Sequence, residues 1–165
     1  MRLKRVLKHL CAPHWIVNRA FPRRTLDAIE QAIRVSEKSH AGELRFVVEA
    51  SLHPLPVLRG LSARHRAHDV FAGLRVWDTE HNSGVLIYVQ LVDRSIEIVA
   101  DRGIAARVPQ HEWDGICRRM EAQFREKRFE QGALKAIEEI TALLARHFPP
   151  RGSRASELPD RPVVL

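Results

Sequence analysis

The run Gly84-Val85-Leu86-Ile87-Tyr88-Val89-Gln90-Leu91-Val92 is apolar at almost every position, so both of its faces need cover. A strand open to water on one side alternates polar and apolar side chains; an unbroken run bounded by turn formers belongs to a strand with helices on both sides. The run is therefore expected to be an interior strand of an α/β fold. The polar loop Asp78-Thr79-Glu80-His81-Asn82-Ser83 leads into it, and Asp93-Arg94 after it reads as a two-residue hairpin connection, without the Gly that such turns favour. Ile96, Ile98 and Ala100 then alternate with Ser95, Glu97 and Val99, a strand with one more polar face, which ends in a second Asp-Arg pair, Asp101-Arg102, followed by Gly103.

The helices needed for cover are legible on either side. Thr25 is placed to cap a helix running to about Ser39, with Leu26, Ile29 and Ile33 on its buried stripe and Gly42 beyond its end. A strand follows over Glu43 to Ser51, where Leu44, Phe46, Val48 and Ala50 alternate with Arg45, Val47 and Glu49. His53-Pro54-Leu55-Pro56 breaks it, and an Arg- and Ala-rich helix is expected from Val57 to Ala72, with Leu58, Leu61, His65 and His68 on one face. His65 and His68 have the spacing of a metal-ligand pair, but no Cys, Glu or third His completes a local set, so partly buried or surface histidines are the plain reading. Two amphipathic helices, about Gln110 to Lys127 and Glu130 to His147, close the domain, and Pro149 to Leu165 reads as a flexible tail.

The chain of 165 residues is about one domain, and its 45% apolar content is enough for a core. Of 27 basic residues seven fall within residues 1–24 (Arg2, Lys4, Arg5, Lys8, Arg19, Arg23, Arg24), a segment with no acid, so the net charge of +7 resides in this basic N-terminal arm. An arm of this kind suits nucleic acid or anionic lipid, and is also the form of a solvated extension. Leu3, Val6, Leu7 and Leu10 line one side of a short helix in it, which either lies on a membrane surface or packs on the body. No apolar run approaches the roughly 18 residues of a spanning helix, and the N-terminal stretch lacks the continuous apolar core of a secretory signal. A cytoplasmic location, at most peripheral to a membrane, is expected. Two cysteines are too few for a disulfide framework or zinc site and read as reduced thiols.

No glycine-rich phosphate loop, nucleophile elbow, Cys-pair metal motif or HExxH occurs. What remains is a set of carboxylates at strand ends: Asp78, Glu80, Asp93 and Asp101. Such oxygen ligands suit Ca2+ or Mg2+ where they converge. Hairpin geometry places Asp93 and Asp101 at opposite ends of the sheet and brings Asp101 towards the Asp78–Ser83 loop. The candidate cluster is therefore Asp78, Glu80, His81, Asp101 and Arg102, with Asp78 and Asp101 as the candidate metal ligands.

Gly42-Glu43, the segment FAGLRVWDTEHNSG (Phe71 to Gly84), the two strands to Ile104, the Trp113 helix and Phe129-Glu130-Gln131-Gly132 together resemble the TPM domain. The resemblance spans Thr25 to Phe148 and rests on many moderately specific positions. That family includes thylakoid-lumen proteins of photosystem repair and many bacterial proteins, and the chain is most similar to the stand-alone, soluble bacterial branch. The resemblance implies a three-layer α/β/α sandwich with a small mixed β-sheet. It also implies a choice of functions, since some TPM domains bind calcium or show weak acid phosphatase activity and others assist protein complexes. In the metal-binding type the second strand ends in Gly-any-Gly-Leu-Glu with a further acid downstream. Here Asp101-Arg102-Gly103-Ile104-Ala105 stands there, with Ala105 in place of the Glu and Gln110 near the later acid. The expectation is a binding or accessory module in envelope or protein-complex maintenance, acting on a protein or membrane-associated partner. The alternatives are a divalent-metal-dependent phosphatase, with Asp78, Asp93 or Asp101 holding the cation or acting as base and Arg94 or Arg102 binding phosphoryl oxygens, and a basic arm that binds nucleic acid or anionic lipid.

Overall fold

The computed structural model describes residues 2–13, 15–150 and 156–165. Its strands are β1 (Glu43–Glu49), β2 (Gly84–Gln90), β3 (Ser95–Ala100) and β4 (Val163–Val164). Its helices are α1 (Arg2–Leu10), α2 (Trp15–Ala20), α3 (Arg23–Ser36), α4 (Pro54–Leu58), α5 (Ala63–Gly73), α6 (Arg102–Ala105), α7 (Gln110–Arg125) and α8 (Phe129–His147). The sheet has the order β3-β2-β1-β4. β1 and β2 are parallel, in register from Glu43↔Gly84 to Glu49↔Gln90, and β3 returns antiparallel along β2.

Every residue of β2 is buried, as its unbroken apolar run requires. Leu44, Phe46, Val48, Val85, Ile87, Val89, Ile96 and Ile98 face a layer of α3, α7 and α8, where Ile29, Ile33, Trp113, Ile116, Met120 and Ile140 fill the main core. Val47, Leu86, Tyr88 and Val99 face the other way, under Ala67 and Val70 of α5 together with Val76 and Leu158. The result is an α/β/α arrangement around a small mixed sheet.

Several local expectations are corrected, each for a physical reason. The Val57–Ala72 helix is two helices, because Gly60 adopts a left-handed φ of 95° and Ser62 restarts the chain as an N-cap that accepts the His65 N–H. Thr25 caps nothing; α3 begins after Pro22, and the Thr25 hydroxyl donates to Glu130 Oε2 at 2.6 Å, tying α3 to α8. The Asp93-Arg94 hairpin is a four-residue connection. Leu91 and Val92 keep bonding to β1 through Glu49 O and Ala50 O (3.0 and 3.3 Å), and the reversal is completed by Arg94 at a φ of 54°.

The two ends of the chain are also packed. Val17, Ala20 and Phe21, within the segment read as a basic arm, enter the core, and the Phe21 ring lies 5.7–5.9 Å from those of Phe46, Phe124 and Phe129. The expected flexible tail, 149–165, includes residues 151–155, which lie outside the described residues. Its later part is not loose: Leu158 is buried and Val163–Val164 pairs in parallel with β1. The cause is visible on β1, where Glu43 and Arg45 are almost fully buried and need polar partners. Glu43 accepts from Ser156 Oγ and Leu158 N, both at 3.2 Å, and Arg45 donates to the Pro159 and Arg161 carbonyls.

Candidate functional site

β3 ends beside the start of β2, so the loop entering β2 and the turn leaving β3 meet at the amino ends of the parallel pair. The Asp101 N–H donates to Gly84 O at 2.8 Å and the Gly103 N–H to Asn82 O at 3.1 Å. The approach is close enough that a Cβ on Gly103 would sit 2.6 Å from Asn82 O and 2.7 Å from His81 O. Only glycine fits there. Asp101 Oδ1 accepts the Arg102 N–H at 2.7 Å as the cap of α6, and Arg102 Nε donates to Asn82 Oδ1 at 3.0 Å. Among the described residues, Asp101 Oδ2 and Ser83 Oγ are buried oxygens with no hydrogen-bond partner.

The junction forms one wall of a cleft of about 500 Å³, lined by Glu80, His81, Asn82, Ser83 and Gly103 on one side and by Arg107, His147 and Phe148 on the other. Arg107 is held in place: its guanidinium donates to His147 O at 3.1 Å and lies 5.0 Å from the centroid of the Phe148 ring. Of the five candidate residues, Asp101 meets the entry to β2 through its backbone bond to Gly84 O, Arg102 is bonded to Asn82, and Glu80 and His81 line the cleft. Asp78 stands apart in an exposed pair with Arg75 at 2.7 Å. Asp93 lies at the far end of the hairpin from Asp101, since Gln90 pairs with Ser95 and Val85 with Ala100.

A family model for the TPM domain matches residues 18–143. The chain belongs to the TPM domain family. Among solved structures, the chain is similar to BA42 protein from the psychrophilic bacterium Bizionia argentinensis, with 32% identity over 86% of this chain and 93% of that one and a TM-score of 0.76. It also shares a fold with the N-terminal domain of a protein from P. gingivalis, at 16% identity over 79% and 82% of the two chains, with a TM-score of 0.64. No curated protein matches the chain.

The calcium site implied by the family resemblance can be tested against this TPM domain's own residues. Calcium takes six to eight oxygen ligands, several of them usually carboxylates. Here Ala105 offers none, and the Gln110 amide donates to Asp114 Oδ1 on the exposed side of α7. Among the described residues, Asp101 Oδ2 is buried and without a partner, Arg102 follows it in the chain, and the adjoining cleft is lined by one carboxylate, Glu80, beside Arg107. Among the described residues no three His, Cys, Asp or Glu side chains converge as a metal site. The donor set does not fit the ion.

Two further polar networks escaped sequence reading, because their members are far apart in the chain. At the carboxyl ends of β1 and β2, Arg66 grips Glu49 with two parallel bonds (2.9 and 2.8 Å) and Tyr88 donates to the same carboxylate at 2.5 Å. Burial, then the bond to Glu49, pushes the Tyr88 hydroxyl well above the usual tyrosine range. Nearby, Arg5 Nε and Nη2 donate to Asp93 at 3.0 and 2.6 Å, and His9 Nε2 lies 3.1 Å from the same group. Burial alone would raise the Asp93 carboxyl, but the Arg5 guanidinium and the His9 imidazole beside it hold it below its ordinary value.

A third network, around His40, has the residue types of a nucleophile-base pair but not its proton arrangement. His40 Nδ1 accepts the Gly42 N–H at 3.1 Å, so its proton sits on Nε2 and points at Ser36 Oγ, 2.8 Å away. Ser36 then donates to Thr141 Oγ1 (2.6 Å), which donates to Ile137 O (2.6 Å). Every proton runs away from His40, so the imidazole is a donor and cannot act as the serine's base. Burial lowers its pKa to about 4, which keeps it in this neutral form.

Proposed function

We propose that this TPM domain is a binding or accessory module without strong catalytic activity, and that the cleft beside Gly103 and Arg107 receives an acidic segment of a protein partner. The observation that carries the reading is how the chain's acids are employed. Asp93 is saturated by Arg5 and His9, Glu49 by Arg66 and Tyr88, and Asp78 pairs with Arg75 on the surface. A metal-dependent phosphatase needs carboxylates that share one ion, and these are dispersed to separate cations. The cleft instead presents Arg107, His81 and His147 against the one carboxylate of Glu80. Arg107 is held by a carbonyl and a ring rather than by an acid, so its charge is left for a ligand. Maintenance of a protein complex or of the cell envelope is the role to which such a module belongs.

The test pairs two assays. Fluorescence polarisation of a labelled acidic peptide is expected to show saturable, salt-sensitive binding that Arg107→Glu abolishes. Hydrolysis of p-nitrophenyl phosphate with added Ca2+ or Mg2+ is expected to stay at background. Metal-dependent turnover that disappears in Asp101→Asn, a variant that keeps the α6 cap acceptor and the Tm, would overturn the proposal in favour of the phosphatase.

A further inference from the structure

α1 is amphipathic, yet it docks on the body through its polar side. Arg5 Nη1 donates to Leu61 O at 2.6 Å while its Nε and Nη2 hold Asp93, and His9, only 3% exposed, accepts the Leu52 N–H at 2.9 Å. These contacts fix the rotation of the helix. Leu3, Leu7 and Leu10, at i, i+4 and i+7, are consequently turned outward, with 75%, 59% and 66% of their surface exposed. A surface helix of a soluble domain normally faces its apolar stripe inward, so a polar-side dock leaves that stripe for another apolar medium.

The surroundings say which medium. Lys4 and Lys8 are exposed beside the stripe, and α2 leaves Trp15 57% exposed with the Arg19 guanidinium 5.9 Å from its ring centroid. α4, which packs against α1, exposes Leu55 and Leu58 by 56% and 48%. Residues 1–24 contain no acid, and the nearby Asp93 is already neutralised. Outward leucines, an interfacial tryptophan and flanking cations are the combination that favours an anionic lipid surface. Nucleic acid would use the cations but gain nothing from three leucines. A second copy would bring two acid-free basic segments face to face, which like-charge repulsion opposes.

We propose that this face docks the domain on an anionic phospholipid bilayer. α1 lies in the plane of the interface with Leu3, Leu7 and Leu10 in the acyl boundary, Trp15 at headgroup depth and Lys4, Lys8 and Arg19 on lipid phosphates. The anchors of α1, at Leu52, Leu61 and Asp93, lie beyond the carboxyl ends of β1 and β2. The Gly103 cleft lies at their amino ends, so the docked domain holds the cleft away from the lipid. The inference rests on α1 with its neighbours α2 and α4 and does not depend on the use of the cleft.

Co-sedimentation of the full chain with phosphatidylglycerol–phosphatidylcholine vesicles, and with phosphatidylcholine alone, tests it. The mixed vesicles are expected to bind at least ~tenfold more tightly, with affinity falling as salt rises. Lys4→Gln and Lys8→Gln are each expected to weaken binding about fivefold. Leu3→Ser with Leu7→Ser is expected to weaken it ~tenfold or more at unchanged Tm, with Leu10→Ser as an independent variant of the same stripe. Equal binding to both vesicle types, or leucine variants that bind like the parent, would overturn the proposal. So would a dimer in sedimentation velocity that the leucine substitutions dissolve, since the stripe would then be covered by a second copy.

Discussion

Glu37 supplies a pH-dependent test of the packing between α3, β1 and the C-terminal segment. Its Oε1 accepts the Leu44 N–H at 3.0 Å, and burial, with the nearby charges of Glu43 and Asp160, raises its pKa from the usual 4.5 to about 8. A carboxyl raised in the folded state contributes its stability fully below about pH 4.5, where it is protonated folded or unfolded. That contribution is lost as the pH climbs through about 8. A shift of this size sets a ceiling of roughly 5 kcal/mol, and partial solvent access reduces the expected effect to about 2–3 kcal/mol. Glu37→Gln keeps an oxygen for the Leu44 N–H and removes the charge. The variant is expected to match the parent's Tm near pH 5 and to exceed it by roughly 5–10 °C near pH 9. Melting followed by circular dichroism across this range reads the difference directly. A gap that is the same at both pH values would refute the reasoning, because a merely altered contact carries no such slope.

His40 acts in the opposite direction. Its folded pKa of about 4 lies below the usual 6.5, so the unfolded chain binds the proton first and stability falls as the pH drops from about 6.5 to 4. Carbon NMR of the ring is expected to show a neutral Nε2–H form throughout that window. Ser36→Ala, which leaves that Nε2–H without its acceptor, is expected to cost about 1–3 kcal/mol in denaturant unfolding. Gly103→Ala forces a Cβ to within 2.7 Å of two carbonyl oxygens and is expected to cost about 2–4 kcal/mol by the same assay, while Gly73→Ala, with open space around it, serves as the neutral control. Asp93→Ala strips Arg5 and His9 of their acid and is expected to cost about 1–3 kcal/mol and to expose residues 2–13 to limited proteolysis at a rate the parent does not show.

What the sequence made legible was what local pattern determines. An unbroken apolar run has one economical environment, and Val85–Val89 occupies it between α8 and α5. The antiparallel return of β3 then places Asp101 beside the loop entering β2, since hairpin register follows from chain direction. What stayed hidden depends on partners distant in sequence. Arg45 and Glu49 looked like the wetter face of β1, but that face is sealed by Arg66 from α5 and by carbonyls more than a hundred residues downstream. The tail's polar composition therefore concealed a strand whose role is to satisfy β1. Likewise, nothing near Arg5 in the chain announces Asp93, 88 residues away. Without that pair the leucine side of α1 reads as the side that packs.

The two Asp-Arg pairs show why repetition in sequence need not mean repetition in chemistry. Both follow strands, so both aspartates sit where backbone N–H groups and cations are left over, but each meets a different local need. Asp93 spends its oxygens on Arg5 and His9 and thereby fixes the orientation of α1. Asp101 spends one oxygen on the α6 cap and keeps the other buried and unpartnered. Asp93 is thus committed to two basic partners, while Asp101 keeps one oxygen without a hydrogen-bond partner at the junction whose cleft Glu80 lines. Arg102, next to Asp101, is bonded to Asn82, on the loop whose carbonyls crowd Gly103. The metal-binding type that the family resemblance implies has acids where this chain has Ala105 and Gln110, and neither of these two residues lines the cleft.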